Sequence, residues 1–329
     1  MYPLRFQPLF QGRIWGGNGL FTEFGRSLPR DKIGESWEIT CREGAVSQVA
    51  AGPLKGKKLT ELMAEYGAAL LGEKIAAGNG FPLLLKILDA QDILSVQVHP
   101  DDGFAAVHEG SVGKNEVWYI LKAEPGAKIV YGLRPEVTKE DFVSALKRGQ
   151  LAACLNEVAV RPGEIYPVPP GLVHALGKGI MVVELQQNSD LTYRIYDWDR
   201  VDAGGQPRPL HVDKALQVIE FGLTPPGPFS TEGTSGFELE NEDFSLGYHR
   251  VDGEKPMQQN PDAFALLTVV AGEGAIRHRG RIYPLQYGDS YLLPACLGQY
   301  DLCGNMGLLI GVPNRPLILP EAKAPALSG

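Results

Sequence analysis

Two histidines, a glutamate and a glutamine stand where strand periodicity can bring them together. Gln97 and His99 are two apart in Leu94-Ser95-Val96-Gln97-Val98-His99. That run alternates apolar and polar, so a strand there points both side chains the same way. Glu116 opens Glu116-Val117-Trp118-Tyr119-Ile120-Leu121, a second strand by its β-branched and aromatic content. His174 follows a Pro170-Gly171 turn that can aim it back toward the others. Two imidazoles, one carboxylate and one amide oxygen make a nearly complete ligand set for a borderline divalent cation, zinc by preference, one per chain. A lone strand histidine is more often a hydrogen-bonded core residue than a ligand. Gln97 and Glu116, however, interrupt otherwise apolar runs, where polar side chains are costly unless satisfied, and this favours the metal site. His108, His211, His249 and His278 have no partners at ligand spacing and are assigned to surface or structural positions; His278, between Arg277 and Arg279, is expected at the surface.

The elements that must hold these residues are mostly strands. Phe81–Leu88 is a nearly continuous apolar run, as for a buried strand. Further strands are expected at 33–39, 94–99, 116–121, 128–132, 164–168, 179–185 and 190–196. Three helices are expected: 59–71 from its 3.6-residue apolar repeat, with Thr60 or a polar neighbour as cap; 139–155, with Thr138 as N-cap and Glu140 and Asp141 in its first turn; and a short one at 211–221. The many glycines (40) and prolines (25) agree with many turns and short strands.

A repeat organises the chain. Gly163 to His174 has the form G-x5-P-x-G-x2-H, and Gly288 to Gln299 keeps the G-x5-P frame but ends in Gln299 where the first copy has histidine. The same β fold is therefore expected twice, with the site kept in the first copy only. The Thr-, Pro- and Gly-rich stretch 223–236 divides a metal-binding domain, 1–222, with a short helical insertion near 138–155, from a degenerate second domain, 237–329.

Bulk properties narrow the function. With 329 residues, 44% of them hydrophobic, the chain can bury two cores. A net charge of −8 without a basic run argues against nucleic acid, while a few local cations suffice for one phosphate. No signal peptide and no apolar run of membrane-spanning length is visible. Cys41, Cys154, Cys296 and Cys303 are sparse and read as reduced thiols in the cytoplasm. The sequence sets no oligomeric state.

Taken in order, the motifs resemble type I mannose-6-phosphate isomerases, in the short bacterial form, within the cupin superfamily. The resemblance is carried by Phe81-Pro82-Leu83-Leu84-Leu85-Lys86, Gln97-Val98-His99-Pro100, Lys114-Asn115-Glu116, Gly171-Leu172-Val173-His174-Ala175, and Asn188 to Arg194 with the following Ile195-Tyr196-Asp197-Trp198-Asp199-Arg200. It implies two cupin-type (jelly-roll) β-barrel domains with a few short inserted helices. It also implies zinc held by Gln97, His99, Glu116 and His174, Arg194 as catalytic arginine, Asp190 beside it, and Lys86 and Lys114 as pocket lysines. Gly113 stands where longer members carry a histidine with a suggested ring-opening role, and Asn115 replaces their usual proline. The implied reaction interconverts mannose 6-phosphate and fructose 6-phosphate through a cis-enediol. This needs a base, an electrophile for the developing oxyanion and a grip on the phosphate. Zinc suits the electrophile. Arg194, always protonated, suits charge stabilisation. Lys114, a metal-activated water and Asp190 are rival bases. Lys86 is assigned to the phosphate, against the alternative of pairing with a carboxylate. Asp190 and Arg194, four apart, are expected on one face of one strand. The four tryptophans are expected as core or pocket walls.

Two other readings are weighed. His99, Glu116 and His174 alone match the facial triad of non-haem iron oxygenases, but Gln97 occupies a position that oxygen chemistry needs open. A non-catalytic sugar-phosphate-binding cupin is disfavoured by the retained Lys114 and Arg194.

Overall fold

The apolar run after Phe81-Pro82 pairs from Leu83 to Ala90 and is buried along its whole length. In this computed structural model the chain is described over residues 1–29, 32–201 and 204–319; residues 320–329, at the end of the expected second domain, lie outside the described residues. Leu83–Ala90 sits inside a seven-stranded antiparallel sheet ordered Phe229–Ser230, Glu164–Val168, Glu116–Ala123, Ile180–Gln187, Leu83–Ala90, Ile33–Ile39, Leu9–Gly17.

Antiparallel sheets commonly leave one face wet; this one is covered on both, which explains the lack of alternation in Phe81–Leu88. Leu83, Leu85 and Ile87 join Val117, Tyr119, Met181, Val183 and Leu185 in a core shared with Phe244, Leu246, Leu266 and Leu309 of the C-terminal half. The intervening residues face the other way. Leu88, Trp118, Ile120, Ile180 and Val182 pack in a second core with Trp15 and Tyr166. Parity along three neighbouring strands thus separates an inter-half interface from the face that carries chemistry.

Opposite that second face lies a five-stranded sheet ordered Leu155–Ala159, Lys128–Leu133, His174–Ala175, Val96–Val98, Tyr193–Tyr196. Here Val96 and Val98 turn outward into a third core with Phe142 and Ala145, leaving Gln97 and His99 to face inward. The covering helix, Lys139–Lys147, is capped as expected: the Thr138 side chain accepts from the Asp141 amide, and the Asp141 carboxylate accepts in return from the Thr138 amide. It stops at Lys147, short of the expected 155, because Gly149 turns at φ 66°. A 3₁₀ turn, Leu151–Cys154, and the strand Leu155–Ala159 follow.

The C-terminal half is built on a long hairpin-like ladder, Phe244–Gln258 against Gln299–Pro313, flanked by Ala265–His278. Its sheet also takes in Leu4–Arg5 from the start of the chain, paired with Tyr291 and Leu292. Gly163 and Gly288, the first glycines of the two repeat copies, both adopt positive φ (87° and 84°) just before equivalent strands, Glu164–Val168 and Ser290–Leu293. The mainly β expectation holds; among the described residues no sheet closes into a barrel. No helix there is long and apolar enough to cross a membrane.

Several local expectations are corrected. The helix at 59–71 is two pieces, Leu59–Tyr66 and Ala68–Leu71, broken at Gly67; its N-cap is Lys58, a polar neighbour of Thr60. The last strand of the site begins at Tyr193, not Asp190. His278 is buried, its Nε2 2.9 Å from the Leu297 carbonyl, because its strand turns it toward the second half's core rather than outward with Arg277.

Candidate metal centre and its cavity

His99, Glu116 and His174 come together with ligand atoms all within 4.8 Å of one another, and all three are fully buried. Their approach follows from pairing register. His174 and Gln97 are Cα partners across one ladder, and Gln97 and Arg194 across the next. Glu116 enters from the facing sheet, where it is the partner of Gln186.

The histidines are oriented through their remote nitrogens. His99 Nδ1 lies 2.8 Å from the Leu191 carbonyl and His174 Nδ1 2.9 Å from the Leu172 carbonyl. A carbonyl only accepts, so each Nδ1 carries the proton and each Nε2 turns a lone pair inward. Both Nε2 atoms are 3.6 Å from a Glu116 oxygen, one on each. Donors about 2.1 Å from a tetrahedral zinc stand about 3.4 Å apart, so this spacing fits an ion at the centre. Neither Glu116 oxygen has a hydrogen-bond donor in acceptable geometry, although Lys114 Nζ is an ion-pair partner at 2.7 Å. A buried carboxylate with no hydrogen-bond donor on either oxygen, and a lysine against only one of them, leaves room for a further cation. The Gln97 amide reaches His174 Nε2 at 3.2 Å, so its end group borders the same point; which of its two atoms faces inward is set by what it meets there.

Electrostatics agree. Burial above all holds both imidazoles neutral, the state a metal needs: His99 lies below the ordinary 6.5 and His174 is pushed down to about 3. Burial works to raise the Glu116 carboxyl, but the Lys114 ammonium beside it holds it well below its ordinary range. Glu184, a second buried carboxyl 3.8 Å from Lys114 Nζ, goes the other way: burial and the neighbouring Glu116 push it up. Two carboxylates on one lysine are thus driven apart in acidity.

Above this cluster opens a cavity of about 460 Å³, within the size of small-molecule sites. Lys86, Gln97, Lys114, Asp190 and Arg194 all line it. Lys86, Glu184 and Trp118 form one row across the sheet, and Trp37 extends it beyond Lys86. The Lys86 ammonium is 3.2 Å from Glu184 and 3.6 Å from Asp190, and lies over the Trp37 ring at 5.3 Å. Burial lowers its pKa, but Glu184, Glu35 and Asp190 outweigh that and raise it. Asp190 sits on the loop before the strand. The expected Asp190–Arg194 pair does not form: Asp190 turns to Lys86, while Arg194 Nη1 donates to the Pro209 carbonyl at 2.8 Å. Arg194 Nε is buried without a partner.

Four charged cavity residues lie outside the expected set. Glu184 carries the same signal as Gln97 and Glu116, a charge inside an apolar strand, and could have been found by it. Glu35 also lies on a buried strand, where it accepts both Arg13 Nε (2.7 Å) and Nη2 (3.0 Å). Arg13 lies on the edge strand Leu9–Gly17, whose register shifts around Gly12 and which has no clean alternation in sequence, and Arg208 lies in an irregular segment. Arg208 is anchored by Asp197, whose carboxylate also holds Arg200. In the second repeat copy Gln299 is exposed, and His99, Glu116 and His174 form the one such group among the described residues.

A buried His-Glu-His cluster under a charged cavity, between two antiparallel sheets, defines a β-sheet enzyme of the metal-site type. Comparison with known proteins gives the family. The family model described as phosphomannose isomerase type I, catalytic domain, matches residues 4–120, and that of the mannose-6-phosphate isomerase cupin domain matches 234–313. Mannose-6-phosphate isomerase ManA of Bacillus subtilis is 42% identical over 314 residues, covering 92% of this chain and 96% of that protein. Mannose-6-phosphate isomerase of Streptococcus mutans is 38% identical, covering 95% and 99%. The crystal structure of mannose 6-phosphate isomerase from Bacillus subtilis superposes with a TM-score of 0.86 at 36% identity, over 94% of this chain and 99% of that one. The chain belongs to the type I phosphomannose isomerase family and is an aldose–ketose isomerase.

Proposed function

We propose that the enzyme interconverts mannose 6-phosphate and fructose 6-phosphate through a cis-enediol, with one zinc ion per chain held by His99, Glu116 and His174 and completed by Gln97. The observation that carries this is the convergence of two inward Nε2 lone pairs on the buried Glu116 carboxylate, beside Gln97 and Lys114 of the cavity wall. Bound there, zinc would polarise the sugar oxygens at C1 and C2. The chain supplies the rest. Arg194, with a buried free Nε, stabilises the negative charge that develops on the enediolate. Lys114 stands next to the ligands and is the proposed proton-transfer group. Glu184, beside it with a raised pKa, joins Asp190 as an alternative. Lys86 stays in the cavity, its ammonium already shared by Glu184 and Asp190, which suits a contact to sugar hydroxyls better than a grip on phosphate. The phosphate is better met at the rim. There burial, then the like charges of Arg208, Arg200 and Arg13, lower the Arg194 pKa, and an anion would relieve that repulsion.

The proposed organisation keeps two jelly-roll domains, 1–222 and 237–329, with 223–236 as linker. The four free cysteines support a cytoplasmic enzyme. A coupled assay on mannose 6-phosphate, before and after chelation, tests the function. Turnover should vanish with the ion and return when zinc is restored. A protein carrying one zinc per chain without turnover rejects the substrate assignment.

A further inference from the structure

The segment Gly113-Lys114-Asn115-Glu116 carries two of the proposed site residues, yet through the Asn115 side chain it is tied to the C-terminal half. Asp243, 7% exposed, accepts from the Asn115 amide nitrogen at 2.9 Å and from Arg315 Nε at 2.7 Å. Arg315 Nη2 also bridges to Asp102. Asp102 in turn accepts from the Gly113 backbone N–H at 2.7 Å and from Gln187 Nε2 at 3.0 Å. The Gln187 side-chain oxygen closes the loop by accepting the Asn115 backbone N–H at 2.8 Å.

One guanidinium thus ties both ends of a short span with Lys114 between them. It also ties that span to the turn after His99, since Asp102 follows Pro100-Asp101. There is no slack at that junction. A Cβ on Gly113 would stand 2.5 Å from the Asp101 carbonyl carbon and 2.6 Å from the Asp102 amide nitrogen. Arg315 itself is held by a strap that runs back over the first half: Leu317 bridges to Gly80, and the Asn79 backbone N–H donates to the Leu317 carbonyl at 2.9 Å. The residue lies outside both stretches matched by the family models.

We infer that Arg315 is a positioning residue: through Asp243–Asn115 and Asp102–Gly113 it fixes Lys114 and Glu116 against His99, so the C-terminal half sets the geometry of the metal centre. The inference rests on the site proposed above. Arg315 is too far along the chain of contacts to touch substrate; it acts on ligand geometry, and geometry governs both turnover and retention of the ion.

The test compares Arg315→Met, Arg315→Lys and the remote surface variant Arg277→Ala in the full-length zinc-loaded enzyme, reading kcat, KM and the rate of zinc loss to a chromogenic chelator. Arg315→Met should lose zinc about tenfold faster and lower kcat by about tenfold, with KM changed less than about twofold. Arg315→Lys keeps the charge but cannot span two carboxylates, and should fall between. Arg277→Ala should match the parent. Equal zinc loss and equal kcat in Arg315→Met, even with a lower melting temperature, would reduce Arg315 to a structural tie and overturn the inference alone. A parent enzyme that holds no zinc overturns the site and this inference together.

Discussion

Glu116→Gln should leave the protein folded and all but inactive. The substitution keeps the shape but removes the charge on which two neutral imidazoles converge, and it places an amide NH₂ where two acceptor oxygens faced the ion. Losing the anionic member of a three-residue set should release most of the metal, and kcat/KM should fall by about a thousandfold or more, as expected when transition-state charge loses its main stabiliser. Metal analysis and the coupled assay check both halves. The fold should survive. It should be less stable than the parent, because Lys114 loses its buried partner at 2.7 Å and keeps only Glu184 at 3.8 Å, and removing one member of a buried ion pair costs about 3–5 kcal/mol. A Glu116→Gln protein that retains a full equivalent of zinc and normal turnover would falsify the ligand assignment.

Arg194→Ala should spare the metal and remove most of the rate. Its side chain spans from the Pro209 carbonyl to the cavity wall, with a buried Nε that nothing in the protein satisfies. A group so placed is costly at rest and productive only against an anion, the arrangement that favours the transition state over the ground state. The expected loss in kcat is about 10²–10³-fold, with zinc content unchanged. Weaker phosphate binding should also appear as a higher KM, because the same residue is in the arginine group at the rim. If kcat holds and KM alone rises, Arg194 serves the phosphate and not the enediolate.

The amount legible in the sequence follows the strength of periodicity. Gln97 and His99 were placed by strand alternation, and register delivered them to one face. Glu116 and His174 were placed by the strand and the turn that carry them. Where periodicity ended, so did foresight. Asp190 and Arg194 share an even spacing, but Asp190 lies on a loop, so parity had no meaning for it. Lys86 reads as apolar-strand lysine in sequence, and only three-dimensional pairing shows Glu184 beside it. Arg13 sits on a glycine-rich edge strand with a shifted register, and Arg208 in a proline-flanked connection, so tertiary contacts set where both reach. The tie from Arg315 to Asp102 and Asp243 joins residues far apart in the chain, and no local pattern marks it. The burial of His278 is hidden for a related reason: charged neighbours say nothing about the opposite face of a strand.

The pairing of Leu4–Arg5 with Tyr291–Leu292 has a consequence for synthesis. The ribosome delivers the chain in one direction, at about 5–20 residues per second. Leu4–Arg5 therefore waits about 15–60 s for the partner that completes its sheet. Its backbone donors and acceptors are exposed to other chains during that interval. The two-residue length of this strand, with a charged Arg5 on it, limits what they can capture. The C-terminal sheet is therefore completed only when Leu4–Arg5 has met Tyr291–Leu292, and folding of the two halves is coupled through that pairing.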